Sequence, residues 1–203
     1  MIKVLNLYAG IGGNRKLWKN VKVTAVENNP EIAKVYKEFF PEDVVVVGDA
    51  HQYLLDHYDE FDFIWSSPPC PTHSRMRNLL NVQETCKKKF PDMKLYEEII
   101  FLKHFFRGKF VVENVISYYD PLITPQRCNN HYFWCNFLIS DVGKDNRGIR
   151  SEGIEFKQKR NGFDVSHLGF SKQIQERVLN NCVKPEVGLY VFDMAYTRKQ
   201  LTL

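Results

Sequence analysis

Short apolar runs that stop abruptly at a glycine, an acid or a proline pair recur along this chain, and they dictate its architecture. Ile2 to Leu7 ends at Tyr8-Ala9-Gly10-Ile11-Gly12-Gly13, Val21 to Val26 at Glu27-Asn28-Asn29-Pro30, and Val44 to Val47 at Gly48-Asp49-Ala50. Phe61 to Trp65 ends at Ser66-Ser67-Pro68-Pro69-Cys70, and Lys109 to Val112 at Glu113-Asn114-Val115. Runs of this length and composition read as strands. Helical spacing follows over residues 31 to 40, resumes near His51 and returns from Leu95 to Phe106, and residues 14 to 18 are expected to open a helix after the first glycine turn. Strands alternating with helices imply an α/β fold with a mostly parallel, Rossmann-like sheet, helices on both faces and ligands beyond the strands' carboxyl ends.

The residues at those ends have the chemistry that a nucleotide-like ligand requires. The glycine turn lets backbone N–H groups approach a ligand closely. Glu27, ending the second strand, stands where a carboxylate accepts from both hydroxyls of a ribose. Asp49 is placed to read an adenine amino group, or to cap the helix beginning near His51, and the two roles are compatible. Free cysteine usually packs as a small hydrophobe. What sets Cys70 apart is its company: a Pro-Pro pair fixes the backbone before it, a polar loop from Pro71 to Met93 follows, and Glu113 closes the next strand. His73 and Ser74 are expected to orient or contact a substrate, since no acid completes a Ser/His pair. The aromatic strand His131 to Phe137 reads as core, and Pro185 as a helix start with Val187, Tyr190, Val191 and Met194 on its buried side.

The totals exclude several classes. With 203 residues, 44% of them hydrophobic, the chain supports one domain with a sizeable core. Its five cysteines are odd in number and never form a C-x-x-C pair, against a disulfide framework or a structural zinc site. No run approaches the roughly 20 apolar residues that span a bilayer, and the start lacks a signal-peptide core, so a cytoplasmic protein is expected. The net charge of +4 is compatible with a polyanionic partner. Basic residues gather at Lys87-Lys88-Lys89 and in the segment containing Lys144, Arg147, Arg150, Lys157, Lys159 and Arg160, expected as surface loop or short strands.

Taken together and in this order, the motifs resemble those of the DNA cytosine C5 methyltransferases, which implies a class I S-adenosylmethionine-dependent methyltransferase fold. The resemblance implies that Tyr8, Ala9, Gly10, Gly12, Gly13, Glu27, Asn28, Asp49, Ala50 and Pro68 hold S-adenosyl-L-methionine. Asn181, in Asn181-Cys182-Val183-Lys184-Pro185, would join them from a late motif whose helix packs beside the glycine loop. Pro68-Pro69-Cys70 is similar to the family's nucleophile motif and Glu113-Asn114-Val115 to its Glu-Asn-Val motif. Cys70 and Glu113 would be catalytic, with Arg127 supporting the base. His73, Ser74, Arg75, Asn114, His131, Arg147, Arg150, Lys159 and Arg160 would contact duplex DNA with a flipped cytosine.

Three departures from the family pattern matter. Pro71 stands where the family has Gln, the Gln-x-Arg-x-Arg motif is reduced to Gln126-Arg127-Cys128-Asn129-Asn130, and residues 138 to 172 leave only a short basic insert in place of a recognition domain. A minimal enzyme is expected, with a very short target sequence or recognition borrowed from a protein partner. The alternatives are RNA cytosine as substrate, a different donor, or a non-catalytic nucleic-acid-binding subunit.

Overall fold

A computed structural model describes residues 1–81, 87–143 and 153–197. Seven strands form one sheet in the order β3-β2-β1-β4-β5-β7-β6. The strands are β1 (Ile2–Leu7), β2 (Val21–Glu27), β3 (Val44–Val47), β4 (Phe63–Ser66), β5 (Lys109–Val115), β6 (Gln126–Cys128) and β7 (His131–Cys135). The first five pair in parallel, while β7 runs antiparallel to both β5 and β6. The order reverses between β1 and β4, and an open parallel sheet places its ligand crevice at such a switch.

Register aligns the strand ends. Leu7 pairs with both Val26 and Ser66, and Ser66 with Val112. The next residues, Tyr8, Glu27, Ser67 and Glu113, therefore emerge side by side on one rim.

Helices cover both faces, because successive strand residues point to opposite sides. Val4, Val23, Phe63, Trp65 and Val111 pack with α7 (Pro185–Tyr196) on one side. Leu5, Leu7, Val26, Ile64 and Val112 pack with α2 (Ala50–His57) and α4 (Lys94–Phe105) on the other. Each such side chain contributes about 1.5–3 kcal/mol on burial. In α7, Val187 and Val191 are buried with Phe192 and Ala195, while Tyr190 and Met194 are partly covered. Phe133 and Trp134 are core on opposite faces of the sheet.

The structure corrects the helix expected over residues 14 to 18: residues 14 to 17 are turns and Trp18 is irregular. Remote contacts hold them in that form. The Arg15 guanidinium makes two bonds to Asp43, at 2.8 and 3.0 Å, and another to Trp18 O. The Trp18 ring stacks on Phe192 at 5.2 Å, and Asn14 Nδ2 donates to Asn6 Oδ1 at 2.7 Å.

Gly188 lets α7 pass directly over this segment: a Cβ there would lie 2.4 Å from Asn14 O. The polar stretch after Cys70 contains a short helix, α3 (Arg75–Asn81), with no buried residue. The described part of the basic segment contains α5 (Ile154–Asn161), and Lys157 is buried in it.

Candidate active site

Two adjoining cavities open on the rim. The larger, of about 430 Å³, is lined by the glycine turn apart from Gly12, by Glu27, Pro68 to Pro71 and Glu113 to Val115, and by Arg177, Val178 and Asn180 to Val183. That volume falls within the roughly 300–1,000 Å³ of small-molecule sites. The smaller, of about 150 Å³, is lined by Tyr8, Asn28, Asp49, Ala50, Pro68, His73, Asp92 and Lys94, among others. Tyr8, Asn28, Pro68 and Pro69 border both.

Glu27 closes β2 and is almost wholly buried, and each of its oxygens accepts one backbone N–H, from Gly10 and from Asn29, both at 3.0 Å. Each oxygen keeps a lone pair for a ligand hydroxyl. A Cβ added at Gly10 would meet no heavy atom within 4 Å, so the glycine borders open space. Asp49 caps α2 by accepting from Gln52 N at 3.0 Å, and that bond holds its carboxyl below the usual range. It also lines the smaller cavity. These features fit an adenosine-containing ligand: a carboxylate for the ribose, an acid for the base, and a glycine surface between them.

Gly12, expected among the ligand-binding residues, lines neither cavity. Its φ is +82°, and a Cβ would fall 2.3 Å from the Phe40 ring, so it is glycine for the sake of α1 (Pro30–Phe39) and its C-terminal aromatic. Gly13 does line the larger cavity, and its missing Cβ admits Cys182 and Val183.

At the other end of the larger cavity are Cys70 and Glu113. Burial, and then the Glu113 charge, push the Cys70 thiol up to about 11. Asn114, expected to contact substrate, borders the larger cavity while being almost wholly buried, its Nδ2 donating to Pro68 O at 3.0 Å and its Oδ1 accepting from Val115 N. It ties β5 to the cysteine loop. His131 Nε2 lies 3.6 Å from Glu113 Oε1, so this expected residue is brought to the site.

Arg127 is not. Cross-strand register places it beside Tyr132 and Asn114, while Glu113 is in line with Phe133 and Gln126, so the two project from opposite faces. Arg127 is also exposed and lines neither cavity.

His73 is 1% exposed, with Nδ1 2.6 Å from Tyr119 Oη, and it borders only the smaller cavity. Burial lowers its pKa. Ser74 Oγ accepts from Arg77 N at the start of α3, and neither Ser74 nor Arg75 lines a cavity. Lys159 and Arg160 lie on α5 and line neither cavity, while Arg147 and Arg150 fall outside the described residues.

Three further residues belong to the site. Arg177 and Asn180, from α6 (Lys172–Asn180), line the larger cavity with Asn181. Arg177 precedes Asn181 by four residues, a spacing that places both on one helical face. Glu98 is fully buried beneath the rim, and its signal was an acid inside the apolar stripe of Leu95, Ile99 and Leu102.

A model of the C-5 cytosine-specific DNA methylase family matches residues 2–121. The chain belongs to that family. The matched DNA methylase region runs from β1 past Glu113 and so contains both Cys70 and the glycine turn. No curated protein matches the sequence. Among solved structures, the chain is similar to the Entamoeba histolytica methyltransferase EhMeth, with a TM-score of 0.63 and 11% identity over 97% of this chain and 98% of that one, a likeness of fold. Spodoptera frugiperda DNMT2 is 27% identical over 57% of this chain and 36% of its own, with a TM-score of 0.40. An E. coli prophage-encoded protein described as a DNA modification methyltransferase is 20% identical over 59% and 34%, with a TM-score of 0.37. The chain thus spans about a third of the length of these last two. The fold is that of the S-adenosylmethionine-dependent methyltransferases, a seven-stranded, mostly parallel sheet with helices on both faces. Among the described residues, no helix is long and apolar enough to cross a membrane.

Proposed function

We propose that the protein transfers a methyl group from S-adenosyl-L-methionine to C5 of cytosine in DNA. The observation that carries this reading is that one cavity is lined both by the glycine turn with Glu27 and by Cys70 with Glu113. Gly10, Glu27, Asn28, Asp49 and Asn181 would hold the donor, which supplies an electrophilic methyl group when bound. Everything else is the task of the chain's own side chains.

Cys70 Sγ adds to C6 of the base as its thiol proton passes by way of Glu113 to N3, which makes C5 nucleophilic. Glu113 holds the N3 and N4 edge and favours protonation at N3 as charge develops on the ring. This resolves the opposition between the two groups. Glu113 charge disfavours the Cys70 thiolate, and sharing that charge with a proton at N3 lifts the penalty as the thiol is needed. Loss of the C5 proton from the methylated ring then expels Cys70 and restores the base. Access to both faces of a paired cytosine requires flipping it from the duplex. His131, beside Glu113, is the candidate for supporting the flipped base. Lys and Arg of the insert at 138 to 172, Arg147 and Arg150 among them, would contact phosphates, which give affinity with little sequence information.

The test is to incubate the protein with S-adenosyl-L-methionine and unmodified duplex DNA, digest the DNA and weigh its nucleosides, with Cys70→Ala in parallel. The expected product is 5-methylcytosine that disappears in the variant. Donor binding without modified DNA cytosine, and with methylated cytosine in RNA under the same conditions, would replace the substrate in this reading.

A further inference from the structure

Glu98 is 0% exposed, yet its carboxylate meets the ends of two strands and the first turn of a helix. Tyr8 Oη donates to Oε1 at 2.6 Å, His51 Nδ1 lies 3.1 Å from the same oxygen, and Ser66 Oγ donates to Oε2 at 2.6 Å. Tyr8 heads the glycine turn and borders both cavities. Ser66 ends β4 just before the Ser67-Pro68 wall, and His51 follows Asp49 and Ala50 in the first turn of α2. The bonds join the three sides of the donor site from beneath.

Two observations separate this network from ordinary core packing. A buried carboxylate inside an apolar helix stripe is costly, and well-packed apolar residues in its place are often as stable or more so. Tyr8 also has φ +55°, a left-handed backbone unfavourable for a non-glycine residue, so its ring position is over-determined by its surroundings. The hydroxyl that anchors the ring points to Glu98.

We propose that Glu98 is a positioning residue for the donor: it fixes Tyr8, Ser66 and His51 as one unit, so that donor affinity depends on a carboxylate the donor does not touch. The proposal rests on the donor site described above and assigns its control to a single buried group. The groups that face His51 are Glu98, Glu97 and Lys94 from α4, and Asp49 from its own cap. Tyr8 meets the same Glu98 oxygen from β1. The Glu98 hydrogen bond raises the His51 pKa against the effect of burial. A neutral ring protonated at Nδ1 and the fully protonated ring both donate to Glu98, the charged one more strongly, so donor affinity is expected to weaken as pH rises and His51 loses its proton.

The test is calorimetric titration of the intact chain with S-adenosyl-L-methionine and S-adenosyl-L-homocysteine from about pH 6 to about pH 9, across the imidazole range. Thermal unfolding is recorded on each variant. Tyr8→Phe keeps the ring and removes only the anchoring hydroxyl. It is expected to weaken donor binding by about tenfold, the value of one hydrogen bond, in a protein that remains folded. Ser66→Ala should act in the same direction, Glu98→Gln more strongly, and His51→Gln should flatten the pH profile. If Glu98→Gln fails to fold, the two hydroxyl variants still decide the matter. Donor affinities within about twofold of the parent in both, with an unchanged pH profile in His51→Gln, would overturn the proposal alone. A parent chain that binds neither ligand at any pH would overturn the donor reading, and this inference with it.

Discussion

At the donor end of the larger cavity Glu27 is already satisfied by the backbone, with Gly10 N and Asn29 N each donating to one oxygen; at the base end Cys70 and Glu113 share the cavity in mutual opposition, the carboxylate charge helping to hold the thiol up at about 11. The first arrangement is preorganised and changes little when a ligand arrives. The second stores an unfavourable interaction that a proton on the bound base would relieve. In the proposed reaction the strain lies only where bonds change, and interactions that improve on the way to the transition state raise the rate.

Substitutions can break this contrast one end at a time. The largest effect is expected from Cys70→Ala, which should lower methylation by at least about 10⁴-fold, as for loss of a nucleophile elsewhere, while calorimetry shows donor affinity retained. Loss of donor binding in that variant would mean that the two ends are not separable.

Glu113→Gln should lower turnover by roughly 10²–10⁴-fold and also free the cysteine. In the parent, alkylation of Cys70 by iodoacetamide should accelerate with pH through a midpoint near 11. In the variant the midpoint should fall, while staying above the ordinary thiol value because burial, the larger cause, remains. An unmoved midpoint would remove the electrostatic link between the two groups.

Gly188→Ala probes the donor end through packing, since the added methyl would collide with the Asn14 backbone. Overpacking of this kind costs about 1–3 kcal/mol, to be read as a lower urea midpoint with an unchanged slope.

The smallest effect is a pH dependence of stability. His51 has a pKa raised in the folded protein, first by its bond to Glu98. Its contribution is therefore fully present below the unfolded imidazole value and is lost as pH rises through the folded one. Urea unfolding should show this decline across neutral pH, and His51→Gln should abolish it.

Sequence alone determined the five parallel strands and what stands at their ends. Apolar periodicity is a local signal, and the glycine turn, Glu27, Asp49, Cys70 and Glu113 follow directly on their runs, so parallel pairing in aligned register could only gather them on one rim. Tertiary structure decided whatever depends on a distant partner. Residues 14 to 18 have helical composition, yet Asp43 and Phe192 hold them as turns. The resemblance gave Arg127 the support of the base and His131 a contact with DNA, but the β5-β7-β6 register turned Arg127 away from Glu113 and brought His131 to 3.6 Å. Gly12 proved to serve the Phe40 ring, and Asn114 the cysteine loop. Glu98 acquired its three partners, one 90 residues away in sequence, only when the sheet closed beneath it. Local chemistry fixes which groups a chain offers, and long-range packing selects which of them meet, because a side chain's face and neighbours are set by elements far from it in sequence.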